Sequence, residues 1–179
     1  SRTGTIAVGS QVMTVTQVGS SGTCAVQPAP GKDTFFGTAY QTQGQPTWEV
    51  MFTGGWGDSY SSLVEIDVSS LPSASATLSA TLWLYVASKG ANDPALQVFR
   101  ITSPWTAAGV TSTTVPTSTL LGAAPTDVLQ GSWYKIDITP TYKDWKNGVY
   151  PNYGVMLSPT FTTNAALHFA TSESLIASR

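Results

Sequence analysis

Hydrophobic and polar positions alternate along this chain over short runs, and no long helical period develops. Beyond residue 33 the runs fall at 34–40, 63–68, 80–86, 96–101, 133–138, 154–157 and 165–170, with turn-forming residues between them. Period-two alternation broken by turns is the pattern of half-buried strands. About seven of them in series predict an all-β fold, an antiparallel β-sandwich of jelly-roll type. Within 63–68, Val64, Ile66 and Val68 share one face and Glu65 and Asp67 the other, so the apolar three are expected in the core. Within 80–86, Ala80, Leu82, Leu84 and Val86 share a face. If that face is the core face, Thr81, Trp83 and Tyr85 point outward.

Two segments depart from this pattern. Residues 139–148 place Thr139 at a helix N-cap, Pro140 at the first helical position and Gly148 where a left-handed C-terminal cap belongs. A short helix near 139–147 is predicted, with Tyr142 and Trp145 three apart on one face and plugging an end of the sandwich. At the N-terminus, residues 3–17 read as two short runs joined by a Gly9-Ser10 turn, a β-hairpin that must pack on something to be stable in water. Gly, Ser, Pro28 and Pro30 then mark a linker. The expected organisation is a hairpin over 1–20, a linker over 21–32 and a sandwich over 33–179.

Composition sharpens the class. Only 10% of residues are charged, against roughly 25% in average soluble proteins, while 41% are hydrophobic. The formal charge is −2 and no basic run occurs, which leaves no electrostatic case for nucleic acid. No stretch approaches the roughly 18–20 apolar residues of a membrane span. A surface rich in Ser and Thr and poor in charge accords with export, so a secreted or cell-surface location is expected. The sequence begins at Ser1 and reads as a processed product or an excised piece. Cys24 is the single cysteine, so an intrachain disulfide and a thiolate metal cluster are excluded, and it is expected to be a small half-buried residue.

Catalytic chemistry is hard to assemble from these residues. His168 is the only histidine and lies in a strand-like run, and the ten acids are dispersed. Asp67 and Asp137 stand at turn positions that suit backbone capping. Asp33, Asp58 and Glu173 offer oxygen ligands for calcium, but no spacing unites them. No enzyme, metal or cofactor is expected. The aromatic residues remain, since flat rings offer rigid area to sugar rings and apolar partners alike. Trp83 and Tyr85 form one candidate surface. Trp48, Trp56 and Tyr60 form a second, in a Gly-rich segment expected to be loop. The competing reading is that a loop or the N-terminal hairpin covers these rings.

Five segments, taken in order, carry a resemblance. They are SLVEIDVSSLP at 62–72, ATLWLYV at 80–86, VFRITSPW at 98–105, the Asp137-Ile138-Thr139 triplet with Trp145 and Gly148, and NYGVML at 152–157. Residues 33–173 thereby resemble the DNRLRE domain and the related alginate-binding carbohydrate-binding modules. That resemblance implies a β-sandwich that binds polysaccharide. Two departures stand out. The family follows its Trp with an acidic residue and a Thr-Trp pair, which are missing after Trp105. The family also ends on a last hydrophobic strand that has no counterpart here, so the sandwich is expected to lack its final strand. Residues 2–17 are similar to the closing strands of a BACON-type domain.

Two functions follow as expectations. One is a non-catalytic adhesion or carbohydrate-binding module outside the cell, with a polysaccharide or other surface glycan as partner. The alternative is a fibre subunit in which copies of the chain complete one another's sheets. The plainer account of the mismatched ends is that they are edges within a longer surface protein.

Overall fold

The computed structural model describes residues 24–39, 44–160 and 164–174 in full, and the backbone of 2–8 and 11–17. The first two strands, β1 (Arg2–Val8) and β2 (Gln11–Gln17), pair antiparallel from Arg2↔Gln17 to Val8↔Gln11 and form a two-stranded sheet.

Nine further strands join in one antiparallel sheet. They are β3 (Asp33–Gly37), β4 (Val50–Gly55), β5 (Tyr60–Val64), β6 (Thr81–Lys89), β7 (Leu96–Ile101), β8 (Ser118–Ala123), β9 (Trp133–Asp137), β10 (Val155–Pro159) and β11 (Ala165–Ala170). The order is β8-β7-β10-β5-β4-β11-β6-β9, with β3 also paired to β5. The join between β5 and β4 is a single pair, Gly54↔Tyr60. The sheet curls there, so β3, β5, β10, β7 and β8 form one layer and β4, β11, β6 and β9 the other. The all-β, sandwich-like architecture expected from the alternation is present.

A shared core lies between the layers. Val64, Val98, Val155 and Leu157 from one layer meet Leu82, Leu84, Val86, Ile136, Leu167 and Phe169 from the other. Removing this much aliphatic and aromatic surface from water is the main force holding the layers together. A second core covers the outer face of the first layer. Leu63, Met156, Ile101 and partly buried Phe99 point away from the shared core and are capped by Trp105, Ala107 and Val110 from the segment after β7. Trp105 donates its indole N–H to the Tyr153 carbonyl at 2.8 Å, so its one polar atom is satisfied where the ring is buried.

Burial on both faces explains why parts of the sequence pattern mislead. The run at 63–68 was expected to be a strand with Val64, Ile66 and Val68 in the core, but β5 is Tyr60–Val64 and all five of its residues are buried. Val64 faces the shared core, Leu63 the second one, and Val68 lies beyond the strand. A strand covered on both sides shows no alternation. Two strands gave no signal in the sequence. In β4 the run ends in Gly54-Gly55, and β8 is an edge strand paired only with β7.

The helix α1 (Thr139–Lys146) forms, but Ile138, not Thr139, occupies the N-cap. The Thr139 N–H is taken by Asp137 Oδ1 at 2.8 Å, and its hydroxyl instead accepts the Ala80 N–H at 2.9 Å. This ties the helix start to the entry of β6. Tyr142 is buried and donates its hydroxyl to the Pro72 carbonyl at 2.6 Å, while Trp145 packs against the shared core. Gly148 has the left-handed φ of 70° that ends the helix. Cys24 is exposed, contrary to expectation, because residues 24–29 run as irregular chain ahead of β3 and bury little there.

Candidate functional site

Strand β6 places Leu82, Leu84 and Val86 inward and Trp83 and Tyr85 outward, as the alternation requires. What one strand cannot reveal is its neighbour. Strand β9 lies alongside, with Trp83↔Lys135 and Tyr85↔Trp133 as facing pairs. Tyr134 and Ile136 are buried, so Trp133 and Lys135 share the outer face with Trp83 and Tyr85. Trp133 meets Tyr85 edge to face at 5.4 Å and Trp83 at 6.3 Å. The Lys135 ammonium sits 4.3 Å from the centre of the Trp83 ring, within the range of a cation–π contact. The product is a platform of three rings and one cation. Trp83 is 50% exposed, and no described loop covers it. The sequence reading missed Trp133 and Lys135; the alternation within 133–138 would have oriented them, but not beside Trp83.

The second group of aromatics divides. Tyr60, expected on a loop, is the first residue of β5 and is 7% exposed. Its ring stands 6.3 Å from Phe35 and 5.9 Å from Phe52, and its hydroxyl donates to Asp58 Oδ2. Tyr60 is therefore a core residue, because the strand begins three residues earlier than the alternation shows. Trp48 precedes β4 and rests on Phe35 and Phe52 at 5.3 and 5.6 Å, with part of its ring exposed. Trp56 lies in the turn between β4 and β5 and is 52% exposed.

That turn has a defined shape. Gly54 has φ of 114°, and a Cβ there would collide with the Ala165 carbonyl; one on Gly55 would collide with the carbonyl of Asp58. Asp58 Oδ1 accepts the Trp56 N–H at 2.9 Å. Desolvation raises the Asp58 pKa, but the hydrogen bonds from Tyr60 and Trp56 outweigh it, and the carboxyl lies below its ordinary value. His168 stands between this turn and Phe52, its ring 6.0 Å from Trp56 and 4.4 Å from Phe52. Its Nδ1 and the Ser88 hydroxyl are 2.6 Å apart, and burial holds its pKa below the usual histidine value.

The three acids singled out as oxygen ligands do not converge. Asp58 is in the turn just described. Asp33 is buried and accepts the Ser172 N–H at 2.6 Å and the Ser172 hydroxyl at 2.7 Å; that hydroxyl is also 3.0 Å from Glu173 Oε2. Burial, opposed by the Ser172 bonds, raises the Asp33 pKa to about 6. This cluster ties the start of β3 to the segment after β11. Among the described residues no three metal-ligating side chains gather. Asp67 and Asp137 cap backbone N–H groups of Ser69 and Thr139, as their positions indicate. Among the described residues no helix is long and apolar enough to cross a membrane.

Residues 25–177 of the chain match the family model of carbohydrate-binding module family 96. A search of curated proteins finds no match.

Proposed function

The chain belongs to carbohydrate-binding module family 96, and from that premise we propose that its binding surface is the Trp83–Tyr85–Trp133 platform with Lys135. The observation that carries this reading is the placement of three rings on one strand pair that no described segment covers. Sugar rings present C–H faces that stack on aromatic planes. A platform built on paired strands meets them without first ordering a loop, which lowers the entropic cost of binding. Lys135 adds a positive charge over one face of the Trp83 ring, suited to a sugar carrying an acidic substituent.

In this reading the module works outside the cell, in a secreted or surface protein, and adheres without catalysing. The Ser/Thr-rich, charge-poor composition and the resemblance of residues 33–173 to the DNRLRE domain support that placement. The same resemblance makes alginate the first polysaccharide to test. Retention on alginate, chitin, cellulose and mucin glycans checks the proposal. Binding to at least one is expected, weakened about tenfold or more by Trp83→Ala or Trp133→Ala. Undiminished binding by both variants would move the site elsewhere.

A further inference from the structure

The Trp56 turn repeats the logic of the platform with the opposite charge. Its indole is half exposed, in a backbone that glycines at 54 and 55 alone permit. A second partly exposed indole, Trp48, is reached from it through the rings of His168 and Phe52, each in contact with the next. A structural turn has no need of a large ring at its tip. Gly57 follows with the left-handed φ of 109° that glycine favours, and completes the turn that carries the ring.

The polar groups beside this ring differ from those of the platform. The Asp58 carboxylate is pinned by the Trp56 N–H and the Tyr60 hydroxyl, and each oxygen keeps acceptor capacity for a further hydroxyl. No described salt bridge includes Asp58. His168 is engaged with Ser88 and is held toward its neutral form, so it supplies no compensating charge at neutral pH. The platform carries an ammonium and the turn a carboxylate. An acidic sugar is favoured at the first and repelled at the second.

We infer that Trp56, Trp48 and Asp58 form a second sugar-binding surface, one that takes neutral, hydroxyl-rich pyranose rings. The inference rests on the carbohydrate-binding reading of the module but not on the location of its first site. Trp56 stacks on the ring face and Asp58 accepts sugar hydroxyls. Two surfaces of different preference let one module grip two chains, or two stretches of one mixed polysaccharide. Each weak contact then gains from the effective concentration that the other creates.

The test uses the whole chain, titrated with a neutral β-1,4-linked glucose hexamer and with an acidic uronate hexamer, and followed by amide and indole N–H chemical shifts. The neutral hexamer is expected to move the Trp56 indole signal. Trp56→Ala and Asp58→Asn should each weaken binding of the neutral hexamer by about fivefold or more, read from the amide shifts of the turn. Asp58→Asn should also improve binding of the uronate at the turn, a gain that a merely structural role for Asp58 would not produce. Shifts by both hexamers confined to Trp83, Trp133 and their neighbours would overturn the second surface and leave the first standing. Shifts confined to Trp56 would overturn the first and leave the second. Thermal melting of each variant separates loss of binding from loss of fold.

Discussion

The outer face of β5, β10 and β7 and the outer face of β6 and β9 begin alike, as apolar side chains pointing away from one shared core. They end differently. Over the first, the segment after β7 folds back and buries Leu63, Met156 and Ile101 under Trp105, whose indole N–H finds the Tyr153 carbonyl. Over the second, no described segment lies on Trp83 and Trp133, and a lysine stands at the ring face instead of a carbonyl at the ring edge. An outward side chain of a sheet is thus structural where a returning segment buries it, as Trp105 buries Leu63 and Met156, and displayed where no described segment lies on it, as at Trp83. Outward-pointing side chains in strands are common to both faces, so direction alone identifies neither.

The comparison can be broken at its strongest point first. Trp105→Ala should cost about 3–5 kcal/mol of stability, the usual range for emptying a buried Trp site. Trp83→Ala should cost less than about 1 kcal/mol, since its ring is half exposed. Urea unfolding of the two variants measures both, and equal losses would erase the distinction between covered and bare faces.

A second difference concerns charge buried at the ends of the layers. The Asp33 carboxyl is raised by burial to about 6, so its stabilising contribution is complete below its unfolded pKa and is lost as pH rises through 6. His168, lowered by burial, works the other way. Its contribution is complete above the ordinary histidine value of 6.5 and is lost as pH falls below it toward the folded value. Between pH 7.5 and 5 the two act in opposite directions. Asp33→Asn should remove the Asp33 gain, so that acidification over this window destabilises the variant more than the parent, by on the order of 1 kcal/mol. Urea midpoints taken at both pH values test this. Parallel profiles would show that Asp33 does not titrate there.

The smallest effect lies on the bare face itself. Lys135→Gln should weaken binding of an acidic oligosaccharide about two- to threefold and leave a neutral one unaffected, with the difference vanishing at high salt. A loss independent of salt would make Lys135 a packing partner of Trp83 and not a charge offered to the ligand.

Much of the fold was legible from local pattern, and the reasons are local too. Strands β7 and β11 begin and end at the residues where the alternation does, and β6 and β9 depart by only a few. The helix at Thr139–Lys146 follows its Pro and Gly punctuation, and Asp67 and Asp137 cap as turn residues do. Strand β5 was misread because burial on both faces erases alternation. Strands β4 and β8 were missed because glycines and an edge position leave no period to detect.

By itself the sequence determined that Trp83 and Tyr85 lie on the side of β6 opposite Leu82 and Leu84, because side chains alternate strictly along a strand. Only the tertiary structure decided that Trp133 and Lys135 stand beside them, that Trp105 is buried under a returning segment, and that Tyr60 belongs to the core. Those outcomes depend on which strands pair and which loops fold back. Contacts between residues dozens of positions apart leave no period in the chain that makes them.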